Sequence, residues 1–126
     1  MFANEMNAHK INSNYTYTTS DARLKINLGQ LNSNVCLKNI MTLKPSAFIM
    51  DKEVHMGLIA QEVKETIPEA VNLGEGMIGG SNVTDFHRLD FSVLNTFTIA
   101  SVQALYNEIE KLKEEVIEIK KSITNN

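Results

Sequence analysis

Residues 102–123 read "VQALYNEIEKLKEEVIEIKKSI". Val102, Leu105, Ile109, Leu112, Val116, Ile119 and Ile123 are spaced 3, 4, 3, 4, 3, 4. That is a heptad seam, with Val102 at position a and Leu105 at d. Glu108 and Glu115 then fall at g, and Lys113 and Lys120 at e. In a parallel, in-register coiled coil, g of one chain faces the following e of its neighbour. Glu108 would meet Lys113, and Glu115 would meet Lys120, with opposite sign. An antiparallel pairing would set Glu on Glu and Lys on Lys. The charges therefore favour a parallel homo-oligomer. The number of chains stays open: Val and Ile at a with Leu at d lean towards dimers, and Ile119 at d leans towards higher states. The competing reading is an amphipathic helix packed on its own domain. Against it, the seam is narrow and its flanks are charged, whereas a core-facing helix shows a wider apolar face.

The chain as a whole is consistent with one globular domain: 126 residues, 43% hydrophobic and 21% charged. A net charge of −3 gives no bulk electrostatic case for nucleic acid or an anionic membrane. No apolar run approaches the roughly 18 residues of a membrane span. The start, "MFANEMNAHK", lacks the apolar segment of a signal peptide. Cys36 is the single cysteine, so it has no intrachain disulfide partner and reads as a small buried residue in a reducing compartment. His9, His55 and His87 are scattered and lack cysteine company. No metal site and no cofactor are expected.

Upstream of the seam the patterning is mixed. Residues 1–13 are polar and unpatterned. "NYTYTT" (14–19) alternates Tyr and Thr and predicts a strand. Residues 21–43 predict a mostly helical stretch, with Leu24, Leu28, Leu31, Val35 and Ile40 near one stripe, although Gly29 and four Asn weaken it. Pro45 stops that element. A hairpin is predicted around Asp51-Lys52, then a helix at about 58–66 closed by Pro68. Gly74, Gly76, Gly79 and Gly80 mark a loop or hairpin tip, and "FHRLDF" (86–91) a short strand. The fold class is α+β: a polar segment 1–19, a head 20–93 and a helix 94–126. Without the polar start and the terminal helix, fewer than about 90 residues remain. Such a head is marginal alone, so association is expected to supply part of its core.

The stretch "TTSDARLKINL" (18–28) sets Lys25 five residues after Ser20. Taken locally, Ser20 or Asp21 is a helix N-cap, and Asp21 with Lys25 is an i, i+4 ion pair. The same residues also suit a serine nucleophile with a lysine base.

"SDARLK" (20–25), "HMGLIAQEV" (55–63), Pro68-Glu69 and "LDFS" (89–92) stand in order before a C-terminal coiled coil. This arrangement resembles the intramolecular chaperone auto-processing domain of the peptidase S74 type. That domain ends phage tailspikes, endosialidases and neck appendages, and a related copy lies inside myelin regulatory factor. The resemblance covers about residues 15–123. It implies a homotrimer of α+β heads with protruding hairpins and a central three-helix bundle, assisting a β-rich viral fibre. It also implies self-cleavage between Thr19 and Ser20, with Ser20 and Lys25 as catalytic residues. The client fibre is expected upstream or separately encoded, and the site of action in the host cell's cytoplasm during virus assembly or on the virion. Asp21, Arg23, His55, Gly57, Gln61 and Glu62 are the supporting family-motif residues.

The chemistry sets conditions on this reading. A free lysine holds its proton to about pH 10.4, whereas a general base works best near neutrality, so the amine must be dried by burial. In so small a head that burial would come from neighbouring subunits. Asp21 beside the amine would hold its proton on, so Asp21 should point elsewhere, towards backbone N–H groups. His55 reads as structural, bonded to backbone across a subunit contact. Gly57 reads as a tight turn, Gln61 and Glu62 as ordering loops or contacts, and Arg23 as pairing with an acid across the interface. Two other readings compete: a non-cleaving assembly module of the same fold, and a plain coiled-coil adaptor.

Overall fold

The computed structural model describes residues 17–125, which fall into two compact units, 17–30 and 31–125. In the first unit the one regular element described is a 3-10 turn, Ala22–Leu24. The strand expected over 14–19 lies partly outside the described residues, and 17–19 are not a strand. Alternating Tyr and Thr favour a strand only beside a neighbouring strand, and the sheets described are two closed hairpins downstream.

The helix expected over 21–43 shrinks to α1, Ser33–Ile40. Side-chain oxygens divert the preceding backbone. Asp21 caps the 3-10 turn by accepting from Arg23 N, and Lys25 then leaves it extended, at φ −125° and ψ 146°. Asn27 Oδ1 accepts from Gly29 N at 2.9 Å, and Gly29 takes φ 118°. Asn32 Oδ1 accepts from Val35 N at 3.1 Å and starts α1. Leu24 and Leu28 are therefore not on a helical stripe, and Leu28 is 97% exposed.

In the second unit, α1 leads to the hairpin of β1, Ser46–Met50, and β2, Glu53–Gly57. Its turn is Asp51-Lys52, as expected, with φ 53° and 66°. Two consecutive positive φ values match the right-handed strand twist. Next come α2, Ala60–Thr66, and a 3-10 turn, Pro68–Ala70. The second hairpin joins β3, Val71–Ile78, to β4, Ser81–Leu89. Only Gly79 and Gly80 form its tip, at φ 58° and 79°. Gly74 and Gly76 lie inside β3, flanking a register shift. A Cβ on Gly76 would overlap the Phe86 ring. The Arg88 guanidinium sits 4.6 Å from that ring's centroid and donates to Glu75 O at 2.9 Å.

The expected strand "FHRLDF" splits. Its first four residues end β4, and Asp90 caps α3, Phe91–Thr124, by accepting from Ser92 N and Val93 N. Asp90 N donates to Ala70 O at 2.7 Å, tying the helix start to the 3-10 turn. The core is Cys36, Val63, Ile67, Ala70, Leu94, Phe97 and Ala100. α1 packs along α3. At about 1.5 Å per residue the 34-residue α3 is about 50 Å long. Its buried residues all lie at or before Ala104. The seven seam residues, Val102 to Ile123, are 47–69% exposed. The helix thus does pack on its own domain, but with a different face from the seam. The long helix and the small antiparallel hairpins make the class α+β, as the patterning indicates.

Candidate active site

A single local turn builds the site. Leu24 N donates to Asp21 O at 3.0 Å and Lys25 N to Ala22 O at 3.1 Å. This 3-10 turn folds the chain back within four residues, so a side chain leaving it can reach one entering it. Lys25 Nζ lies 2.6 Å from Ser20 Oγ. The separation is within hydrogen-bond reach for a nucleophile and its base. Both side chains line an open depression of about 670 Å³ with Ala22, Ile26, Asn27 and Leu28.

Asp21 is turned away from the amine. Its Oδ1 accepts from Arg23 N at 2.9 Å and from Arg23 Nε at 3.0 Å, and Oδ2 accepts from Arg23 Nη2 at 2.8 Å. The forked contact with Arg23 holds the Asp21 carboxyl below its ordinary range and raises the guanidinium, with the backbone N–H of Arg23 adding to the effect on Asp21. The expected Asp21–Lys25 ion pair is therefore replaced by Asp21–Arg23, and Lys25 goes to Ser20. Arg23, expected to seek an acid on another subunit, is engaged within its own turn. Two residues apart suffices because a 3-10 turn lets an N-cap carboxylate reach both the backbone N–H and the side chain of the second residue inside. All described residues of this unit are exposed in the single chain, Ser20 and Lys25 included.

The other motif residues lie in the second unit. His55 is on β2, opposite Phe48 of β1, and their rings stack with centroids 6.3 Å apart and planes 17° apart. Gly57 ends β2 without a positive φ, and a Cβ there would meet the Phe48 ring at an ordinary 3.6 Å. No tight turn demands glycine at that position. Gln61 is exposed and Glu62 half-buried in the first turn of α2. A carboxylate there suits the positive end of the helix. Of the apolar residues beside Ser20 and Lys25, Leu28 was expected on a helical stripe and Ile26 was not expected at the site. Their spacing of two, with Leu24 before them, is the available signal, since that is the period of an extended chain.

The family model described as chaperone of endosialidase, peptidase S74, matches residues 20–72, from the dyad serine to the start of β3. Over these residues the chain is similar to the chaperone-of-endosialidase family. The family segment thus includes the dyad, the first hairpin and α2. Among curated proteins, Long tail fiber protein Gp37 of Enterobacteria phage M1 is 34% identical over 107 residues, 79% of this chain and 41% of that protein. The same-named protein of Enterobacteria phage Ox2 is 33% identical over 111 residues, 81% of this chain and 42% of that protein. The chain spans about two fifths of the length of these relatives. A solved structure, the carboxy-terminal domain of the bacteriophage T5 L-shaped tail fiber with its intra-molecular chaperone domain, aligns with a TM-score of 0.57. It covers 79% of this chain and 32% of its own, at 16% identity, a likeness of fold.

Proposed function

We propose that this chain is the C-terminal intramolecular chaperone of a β-rich phage tail fibre, acting as a parallel homotrimer and releasing itself by autoproteolysis before Ser20. The 2.6 Å approach of Lys25 Nζ to Ser20 Oγ within the family segment is the observation that carries the reading. The fold likeness to a fibre's chaperone domain and the tail-fibre relatives support a fibre client, upstream in the same polypeptide or made separately. Its place is the infected cell's cytoplasm during assembly, or the virion.

In the reaction Ser20 Oγ attacks the carbonyl carbon of Thr19. Lys25 takes the hydroxyl proton and passes it to the departing α-amine of Ser20. The Oγ–C bond forms as the C–N bond breaks, and water then splits the ester and restores the hydroxyl. The dyad is exposed in one chain, so a neighbouring subunit must dry the amine. Cleavage is thereby confined to the assembled state, and it reports on assembly. α3 supplies that assembly: its open seam and the Glu108–Lys113 and Glu115–Lys120 complementarity suit further copies of the chain.

Intact mass spectrometry of the purified protein, with Ser20→Ala alongside, tests the proposal. A fragment beginning at Ser20 from the wild type alone supports it. An intact wild type in an assembled trimer would leave a non-cleaving assembly module.

A further inference from the structure

α3 carries two apolar faces, and one chain covers only one of them. Leu94, Phe97, Ala100, Ser101 and Ala104 are buried against the head. In the heptad phase of the seam they occupy g, c, f, g and c. Positions a, d and e remain open. The e row also changes character along the helix. It carries Lys120 and Lys113 in the lower repeats, but Tyr106 and Ile99 at the level of the head, each 61% exposed.

In a parallel, in-register assembly each e residue meets the g residue five positions earlier on the adjacent copy. That rule pairs Lys113 with Glu108 and Lys120 with Glu115. It also sets Tyr106 opposite Ser101 and Ile99 opposite Leu94. Ser101 and Leu94 are only 4% and 5% exposed, because their own head covers them. On that flank a neighbour's Tyr106 and Ile99 meet a head rather than bare helix.

We infer that Ile99 and Tyr106 dock onto the head of the adjacent copy, beside its α1–α3 packing. The occupant is a second copy of this chain. The e/g charges below select that alignment, and the row is continuous with the seam. A tyrosine fits such an edge, with its ring on apolar surface and its hydroxyl in water. The contact makes each head a part of the helical interface and lets helix assembly stabilise the small head. The inference rests on the parallel assembly proposed above.

Photo-crosslinking tests it. A benzoylphenylalanine is placed at position 106 in one isotopically labelled population, mixed and co-assembled with unlabelled chains. The expected adducts join position 106 to peptides from residues 31–90 of the other population. Adducts confined to α3 of the other population, or formed only within one chain, overturn the inference while leaving the assembly intact. A protein that sediments as a monomer overturns both. If the substitution at 106 prevents folding, the same residue at position 99 gives the same readout.

Discussion

Lys25 Nζ lies 2.6 Å from Ser20 Oγ, and the 3-10 turn Ala22–Leu24 lies within the four residues between them. The Asp21 carboxylate, although next to Ser20 in sequence, is committed to Arg23. The amine thus faces the hydroxyl with no acid of its own turn beside it, which is the arrangement a lysine base requires.

Replacing Lys25 with Arg keeps the charge and removes the ability to deprotonate, since arginine stays protonated in proteins. The wild type is expected to release a fragment starting at Ser20, and assembled Lys25→Arg to stay uncut. A general base contributes about 100- to 10,000-fold, so cutting over hours in the wild type should become undetectable. Equal cleavage by the two proteins in a timed gel would remove Lys25 as the base.

The Asp21–Arg23 fork should report its own pH window. The Asp21 carboxyl is depressed below its usual 3.8, first by the Arg23 side chain and then by the Arg23 backbone N–H. A depressed carboxyl contributes order above the usual value and loses it as pH falls through the depressed one. The turn should therefore be intact at pH 5 and loosen below 3.8. The carboxyl carbon shift of Asp21, followed by NMR, should titrate below that value in the wild type and return towards it in Arg23→Gln. Identical titrations would show that the fork does not persist in solution.

Ile109→Asp sets a carboxylate into the seam of every chain. An unpaired buried charge costs several kcal/mol per ion. Sedimentation equilibrium should show dissociation at tens of micromolar. Circular dichroism should show the head melting at lower temperature too, because its core is small: the central cluster among the described residues has seven buried members. The variant should also stay uncut, although its dyad is intact. An unchanged melting curve would mean that the helix does not hold the oligomer.

Gly76→Ala is expected to cost about 1–3 kcal/mol through overpacking, since the new Cβ falls into the Phe86 ring. The penalty should shrink in a Phe86→Ala background, where the ring is absent. Thermal denaturation of the four variants of this cycle decides it, and an equal penalty in both backgrounds would exclude the clash as the cause.

Features set by neighbours in sequence were legible without a structure. The heptad spacing of α3, the two-residue turn at Asp51-Lys52, the stop at Pro68 and the serine–lysine spacing are of that kind. Each depends on periodicity or on backbone preferences that act over a few residues. The failures were of another kind. Residues 25–32 have the apolar spacing of a helix, but Asp21, Asn27 and Asn32 hydrogen-bond the backbone into turns and caps first. The Tyr/Thr alternation at 17–19 is not enough for a strand. Gly76 looked like loop punctuation and is instead the floor beneath Phe86, which only the β3–β4 register reveals. The division of α3 also belonged to the tertiary structure. Its apolar residues cover two faces, and sequence alone cannot tell which face the head takes. Long-range packing against Cys36, Val63 and Ile67 claims Leu94, Phe97 and Ala100, and so leaves the seam open.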